Sequence, residues 1–242
     1  MRAELRDTRI LHLFANYKWT GPADPAIRAA ADLRRLGLDV VFARAGWTLP
    51  GAEHRMDMEL ARAHMPVVGG LALPKHFRPW LLLRDRRVLA SRLGRGDFDV
   101  LHAHQPADHL VSVLARARAY KRSGRRTVLV RTLYDADAPT RNWRTRQAFA
   151  GTDGVIAPSR AVAEAVSARF EISPSRVLVQ EPTTLLARAA AAGDLRAAWG
   201  LGPEHVLIGI TARIQPHRRF DLLWDVAAAV VGAEPNARFV LL

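Results

Sequence analysis

Phe98-Asp99-Val100-Leu101-His102-Ala103 is a short, largely apolar run that follows the turn-forming pair Gly96-Asp97. A longer amphipathic segment, Pro106–Tyr120, comes after it, and a second apolar run, Val128–Leu133, comes next. Apolar runs that alternate with amphipathic segments are typical of parallel strands whose sheet is covered by helices on both faces. The sequence therefore predicts an α/β protein with a Rossmann-like parallel sheet.

The same alternation extends in both directions along the chain. We predict strands at Ile10–Ala15, Leu38–Arg44, Met65–Val68, Phe98–Ala103, Val128–Leu133, Gly154–Ala157 and Arg176–Val179. We predict helices at Pro25–Leu36, Arg78–Leu93, Pro106–Tyr120 and from the N-cap Ser159 to about Phe170. Asp24 is the expected N-cap of the first helix, with Pro25 at its first position and Gly37 at its C-terminal cap.

A change in composition marks a second domain. Residues 185–192 are rich in alanine, and after them the pattern restarts with a strand at His205–Thr211, a helix at Phe220–Val231 and a strand at Arg238–Leu242. We therefore predict a Rossmann-like domain at residues 1–184, a connector at 185–204, and the opening of a second Rossmann-like domain at 205–242. A two-strand unit cannot bury its own apolar faces, so we expect the sequence to be a truncated piece of a longer protein.

The chain is strongly basic, with 36 lysines and arginines against 23 acidic residues and a formal net charge of +13. Most of the arginines are scattered and not interleaved with aromatic residues, which favours solvated helix faces and argues against a nucleic-acid partner. One denser basic segment, Lys75–Arg95, surrounds Trp80-Leu81-Leu82-Leu83. Such a helix can lie on an anionic membrane, or it can pack its apolar stripe on the sheet, and both interpretations stay open.

Other features of the composition bear on the compartment. The chain has no cysteine, which excludes disulfides and thiolate metal sites. No apolar run approaches the length of a membrane helix, and the mixed-charge N-terminus precedes a run too short for a signal peptide. We expect a cytoplasmic protein, with peripheral contact at the inner face of the membrane as the alternative.

In sheets of this kind the ligand lies beyond the carboxyl ends of the strands, so the residues that follow each strand are candidates for substrate binding. Gly21 and Pro22 follow the first strand, where the backbone either approaches a phosphate or sugar or forms a plain turn. Ser159 follows the strand Gly154–Ala157 and is included in the candidate set.

Two further pairs of candidates follow the central strands. His104 and Asp108 come after Phe98–Ala103, and Tyr134 and Asp135 come after Val128–Leu133. A carboxylate there could hydrogen-bond sugar hydroxyls or act as a base, with a polar capping loop as the alternative. His102 shares a strand face with His104, but no nearby carboxylate except Asp108 completes a ligand set, so we predict no metal site.

Four segments resemble one enzyme family in order along nearly the whole chain. Asp99–His104 is similar to the "DVVHAH" strand of the GT-B glycosyltransferases of the large retaining group often called family 4, and Gly154–Ser159 is similar to its "vivavS" strand. Ile208–Leu223 resembles the "vGRLvpeKGfdlLl" signature, and Pro235–Leu241 resembles the strand that follows it. The last two segments are the most specific.

The resemblance implies a GT-B fold, in which two Rossmann-like domains face each other, with the nucleotide diphosphate sugar on the C-terminal domain and most of the acceptor site on the N-terminal domain. It implies a retaining sugar transfer to a glycan or lipid-linked acceptor in cell envelope polysaccharide synthesis, with no cofactor beyond the donor. Carried over, the signature's two cations are Arg213 and Arg218, which would stabilise the departing diphosphate as its negative charge builds up. With them in place, the reaction needs no metal.

Several positions depart from the family pattern. Arg218 replaces the usual lysine, Arg219 replaces the glycine after it, and Tyr134 stands where a histidine commonly contacts the donor sugar. The usual glycine pair after the first strand is reduced to Gly21 followed by Pro22, and residues 181–184 replace the family's "PNGVD" turn. Two other functions therefore remain alternatives. One is a non-catalytic Rossmann-like module that binds polyanions or a partner protein, and the other is a nucleotide-sugar enzyme of similar fold, such as an epimerase.

Overall fold

The computed structural model describes residues 7–181, 195–212 and 214–241. The chain divides into two compact units, Met1–Thr183 and Thr184–Leu242, and each is considered by itself. The predicted α/β class is confirmed, because helices and parallel strands alternate along both units. None of the described helices combines the length and apolar character needed to cross a bilayer.

The first unit contains six strands and six α-helices among its described residues. Its strands are β1 (Arg9–Phe14), β2 (Asp39–Arg44), β3 (Val100–Ala103), β4 (Val128–Thr132), β5 (Gly154–Ala157) and β6 (Val177–Val179). Its helices are α1 (Ala23–Arg35), α2 (Arg55–Arg62), α3 (Pro79–Arg95), α4 (Pro106–Ser123), α5 (Trp143–Ala150) and α6 (Arg160–Phe170).

All six strands are parallel and lie in the order β2-β1-β3-β4-β5-β6. The central register pairs His12 of β1 with His102 of β3, and Ala103 of β3 with Arg131 of β4. From β1 the chain adds β2 on one side and then β3 to β6 on the other, so the strand order reverses between β1 and β3. Ligands bind at such a switch point in open α/β sheets.

The two faces of β1 pack into different cores because successive side chains of a strand point to opposite sides. Leu11 and Leu13 are fully buried in a cluster that includes Leu89 of α3 and Val111 of α4. Ile10, Phe14 and other apolar residues of the opposite face pack with α1 and α2. Burying a side chain of this size contributes about 1.5–3 kcal/mol to stability, so these two clusters fix the sheet between its helices.

Local signals set the ends of the long helices. α3 and α4 each begin with a proline at the first helical position, where its missing N–H costs nothing. Both end at a glycine in the left-handed region, Gly96 at φ 80° and Gly124 at φ 68°. Ser159 accepts a hydrogen bond from the Val162 N–H at 3.2 Å, which confirms its predicted place as the N-cap of α6.

Several sequence predictions are wrong in detail. α1 begins two residues earlier than predicted, with Pro22 at the N-cap position, so Asp24 lies inside the first turn and pairs with Arg28 at 2.9 Å. Residues 65–68 do not form a strand; they contribute one isolated bridge from Val67 to Phe42. Helices α2 and α5 were not predicted.

The second unit contains α7 (Leu195–Ala198), β7 (Val206–Ile210), α8 (Phe220–Ala233) and β8 (Ala237–Leu241). β7 and β8 pair in parallel across α8, as the sequence predicts for a strand–helix–strand unit. Residues 185–194, half of the predicted connector, lie outside the described residues.

Candidate functional site

Asp108, in the first turn of α4, ties together the carboxyl ends of two strands. Its Oδ2 accepts the Ala15 N–H at 2.8 Å, and its Oδ1 accepts the N–H groups of His104 at 3.0 Å and Gln105 at 2.8 Å. Burial raises the pKa of this carboxyl to about 7, against the opposing effect of Arg131 and the three N–H donors. Both oxygens are therefore engaged by the backbone, and the predicted contact of Asp108 with substrate stays a prediction.

A chain of ring contacts lies beside this carboxylate. His12 Nδ1 is 2.9 Å from His104 Nε2, and His104 Nδ1 is 2.6 Å from the Tyr134 hydroxyl. Burial is the main cause that lowers the pKa of His12 and His104 well below the usual value and raises that of Tyr134. His12, His104 and Tyr134 are thus neutral at physiological pH, and their contacts fix the position of the Tyr134 hydroxyl.

Two more buried histidines behave in the same way. His102 Nε2 is 2.6 Å from Thr132 Oγ1, and burial lowers the pKa of His102 to about 3. His109 Nε2 is 2.7 Å from Thr152 Oγ1, and burial lowers its pKa well below the usual value. These two, together with His12 and His104, are called the four buried histidines below.

Among the described residues, His12, His102 and His104 form the group that could hold a metal ion, with one ligand atom from each lying within 4.8 Å of the others. Their neutral imidazoles suit metal binding. The positive charge of Arg131 opposes it, because the same charge helps to lower the pKa values of His102 and His104. The ring contacts described above therefore give these residues a structural role without an ion.

Arg131 of β4 is a buried cation at the centre of the sheet. Only 6% of its surface is exposed, and its Nη1 has no hydrogen-bond partner. Within the described residues no hydrogen bond or ion pair reaches its guanidinium, although the charges of Asp108 and Asp135 act on it. Burial lowers its pKa, but an arginine remains charged in a protein.

Arg131 lines a pocket of about 250 Å³ between the loop that precedes α3 and the first turns of α4 and α5. Most of the other lining residues are apolar, and several at the rim are cationic. They are Leu73, Pro74, Lys75, His76, Phe77, Arg78, Leu82, Asp85, Pro106, Ala107, His109, Leu110, Val111, Pro139, Asn142, Arg144, Thr145, Ala148 and Phe149.

The loop at the pocket wall is held by a buried carboxylate and by a close backbone approach. Asp85 accepts the N–H groups of Ala72 and Leu73, both at 2.8 Å, and burial raises its pKa. A Cβ at Gly46 would lie 2.5 Å from the Leu71 carbonyl oxygen, so only glycine fits there. At the rim, the Arg144 guanidinium lies 3.8 Å from the centre of the Phe77 ring.

The structure brings together part of the predicted site in the first unit. His104 and Tyr134 are in contact through the bond given above, and Asp135, one residue further on, is exposed. Gly21 is exposed, and a Cβ there would meet nothing within 4 Å, so the fold does not itself require glycine at that position. Pro22 serves as the N-cap of α1.

The predicted cations belong to the second unit. Arg213 lies outside the described residues. Arg218 is exposed at the end of a one-turn 3-10 helix, Pro216–Arg218, just before α8. Arg219 adopts the left-handed region at φ 51° and pairs with Asp221 at 2.9 Å, so the position where the family has glycine keeps a conformation that favours glycine.

Sequence reasoning missed Arg131, the loop at residues 73–78 and the start of α5. Arg131 does leave a signal, because it is the one charged residue in the predicted strand Val128–Leu133. A charge in a buried strand is costly unless something compensates it. The other pocket residues come from elements far apart in sequence, which no local pattern connects.

Comparisons with known proteins agree with this architecture. The model of Glycosyltransferase Family 4 matches residues 26–182. A D-inositol 3-phosphate glycosyltransferase from Actinosynnema mirum is 29% identical over 153 residues, which are 59% of this chain and 37% of the relative. The chain thus spans little more than a third of the curated relative that it matches.

Two solved structures share the fold at low sequence identity. A glycosyltransferase from Rickettsia africae has a TM-score of 0.68 and 14% identity, covering 97% of this chain and 68% of the other. HepE from Anabaena, solved with UDP and glucose, has a TM-score of 0.65 and 18% identity, covering 97% of this chain and 60% of the other. At this level of identity the likeness supports the fold alone.

Proposed function

The chain belongs to glycosyltransferase family 4, and on that premise we propose that it transfers a sugar from a nucleotide diphosphate sugar to an acceptor hydroxyl. The observation that carries the proposal is the pocket beside Arg131, which opens where α4 follows β3 and α5 follows β4 in a domain that the family model matches. We assign this pocket to the acceptor.

The donor side of the proposal rests on the second unit. Arg213 and Arg218 would lie against the diphosphate and stabilise the charge that develops as the sugar–phosphate bond breaks. Arg218 is exposed and precedes α8, whose N-terminus adds a favourable dipole for an anion. With two fixed cations the transfer requires no metal, and we propose that the anomeric configuration is retained.

The test of this proposal uses the full-length enzyme and a panel of nucleotide sugars in excess EDTA, with the anomeric configuration of the product read by NMR. Arg218→Ala should lower kcat more than it raises the KM for acceptor, since the lost interaction forms mainly in the transition state. Arg122→Ala, an exposed residue of α4, is the control. Normal turnover by Arg218→Ala would refute the role given to that residue, and dependence on added metal would refute the metal-free mechanism.

Gly21→Ala separates a ligand contact from a plain turn. The change should leave the free energy of unfolding within about 0.5 kcal/mol, because the space around Gly21 is open. A loss of substrate affinity with unchanged stability would support backbone approach at Gly21. Unchanged affinity would favour the plain turn.

We also propose peripheral contact with an anionic membrane through Lys75–Arg95. Within this segment Leu89 and Leu93 are buried in the core, so the C-terminal half of α3 packs on the domain. Its first turn differs, because 82% of the surface of Trp80 is exposed. An exposed tryptophan among arginines suits the interface of a membrane with negative lipids. Sedimentation with phosphatidylglycerol vesicles should fall for Trp80→Ala, and equal binding to neutral vesicles would contradict the proposal.

A polyanion-binding module is the second candidate function. The observation that favours it is the net charge of +13. It predicts affinity for any phosphate-rich polymer that declines steeply with salt. Catalytic turnover by the full-length enzyme, with no such affinity, would dismiss this candidate.

A further inference from the structure

The pocket assigned to the acceptor contains a buried positive charge that the protein does not neutralise. Arg131 lines the pocket, and no described group hydrogen-bonds or ion-pairs with its guanidinium. A buried charge without a partner is strongly unfavourable, so its retention is best explained by a group that joins it on binding.

The acidic groups around Arg131 do not hydrogen-bond to it. Asp108 acts electrostatically on Arg131, but its oxygens are engaged by three backbone N–H groups and burial raises its pKa to about 7. Asp135 also acts electrostatically on Arg131 from an exposed position, and no contact among the described residues joins its carboxylate to the guanidinium. Asp85 is the one carboxylate in the pocket lining, and it is held by the N–H groups of Ala72 and Leu73.

The rim carries more positive charge. Lys75, Arg78 and Arg144 line the opening, all three are exposed, and none has an ion pair among the described residues. Arg144 is held over the Phe77 ring, which limits how far its charge can move. A buried cation with unpaired cations above it attracts a negative group from solvent and holds it at depth.

The remaining walls include His76, His109, Asn142 and Thr145 but are mostly apolar, which does not match a polyhydroxylated ligand. Leu82, Leu110 and Phe149 from three different helices contribute to them. Sugar or polyol hydroxyls placed there would lose hydrogen bonds to water without gaining others, which is unfavourable. An apolar group placed there gains from leaving water.

We propose that this pocket binds an acceptor that carries, besides its reacting hydroxyl, a phosphate or carboxylate on an apolar body, with the anion at Arg131 and the apolar body against Leu82, Leu110 and Phe149. This inference rests on the proposed transfer function and names its acceptor class. The name of the Actinosynnema relative contains inositol 3-phosphate, which also carries a phosphate but has a polyhydroxylated ring in place of an apolar body.

Calorimetric titration of the full-length enzyme tests the proposal with three simple probes: phenyl phosphate, benzyl alcohol and glycerol 3-phosphate. Phenyl phosphate should bind about tenfold more tightly than glycerol 3-phosphate, because its ring leaves water. Benzyl alcohol should bind more weakly still, because it lacks the anion. Equal affinity for benzyl alcohol and phenyl phosphate, or tighter binding of glycerol 3-phosphate, would overturn the proposal.

Variants locate the site. Arg131→Met should lower the affinity for phenyl phosphate at least tenfold, and Arg131→Lys should restore part of it. Arg144→Gln should lower affinity two- to fivefold, whereas Arg146→Gln, on the same helix but lining a different hollow, should have no effect. If Arg131→Met fails to fold, Arg144→Gln against Arg146→Gln still decides, because equal affinity in both would refute the site.

A competition experiment distinguishes a membrane lipid from a soluble ligand, and a hydrolysis measurement distinguishes failure of the acceptor class from failure of the proposed function. If vesicles with phosphatidic acid compete with phenyl phosphate while soluble dihexanoyl phosphatidic acid does not, the source is a membrane lipid; competition by the soluble lipid identifies a free amphiphile. Donor hydrolysis by the full-length enzyme is measured alongside. Hydrolysis without phenyl phosphate binding refutes the acceptor class alone, whereas phenyl phosphate binding with neither hydrolysis nor transfer to any acceptor refutes the proposed function.

Discussion

Removing the Asp108 carboxylate should loosen the junction of β1, β3 and α4. In Asp108→Ala the N–H groups of Ala15, His104 and Gln105 lose their acceptor inside the protein. The bonds to the Ala15 and His104 N–H groups are buried and the bond to Gln105 is part-buried. Each buried donor left without a partner costs about 1–3 kcal/mol, so we expect the free energy of unfolding to fall by about 2–6 kcal/mol. That is a large fraction of the 5–15 kcal/mol of a typical domain.

Asp108→Asn refines the prediction because it keeps the shape of the side chain. Its one carbonyl oxygen can still accept the His104 and Gln105 N–H groups, but its NH₂ then faces the Ala15 N–H. We expect a loss of about 1–3 kcal/mol.

Urea denaturation measures both changes, and hydrogen exchange at the Ala15, His104 and Gln105 amides locates them. Asp137→Asn, at an exposed position, serves as the control and should stay within about 0.5 kcal/mol. Losses below about 1 kcal/mol in Asp108→Ala, with all three amides still protected, would refute the reasoning.

Three further outcomes follow from the same contacts. The four buried histidines have lowered pKa values, so the unfolded chain takes up more protons than the folded one below about pH 6.5 and stability should fall as pH falls towards 4. The raised pKa values of Asp108 and Asp85 act in the opposite direction but concern fewer protons, and each net proton contributes a slope of about 1.4 kcal/mol per pH unit; flat urea midpoints from pH 7.5 to 5 would contradict this. Gly46→Ala should cost about 1–3 kcal/mol and weaken phenyl phosphate binding, because its Cβ would collide with the Leu71 carbonyl; an unchanged melting temperature would show that the loop yields. Ser159→Ala should cost about 1 kcal/mol through the lost N-cap bond to Val162, and Ser159→Asn should recover most of it in thermal unfolding.

The strands and long helices could be predicted from the sequence where apolar runs, prolines and glycines mark their limits. The strands lie in apolar runs, many of them bounded by glycine or polar residues, and the longest helices begin at prolines and end near glycines, so their limits agree with prediction within a few residues. Helices α2 and α5 were missed because each has eight residues and buries only two of them, which is too short for a recognisable 3.6-residue period.

The contacts within the candidate site could be predicted only in part, because they join residues that are far apart in the sequence. The proximity of Tyr134 and His104 follows from adjacent parallel strands, which end at the same edge of the sheet. The clamp from Asp108 to Ala15 joins positions 93 residues apart, and no local pattern predicts that contact. Arg131 was conspicuous in its strand, but only the structure reveals that its guanidinium is buried without a partner.

The interior position of β1 in the sheet has a consequence for how this domain is made. β1 is synthesised well before β3, so one of its two edges must wait for that strand, and the His12–His104 contact spans 92 positions. At 5–20 residues per second that interval lasts roughly 5–20 seconds. During it, the edge of β1 that later pairs with β3 has no partner strand, and an apolar unpaired edge is the kind of surface that recruits chaperones or pairs with another nascent chain.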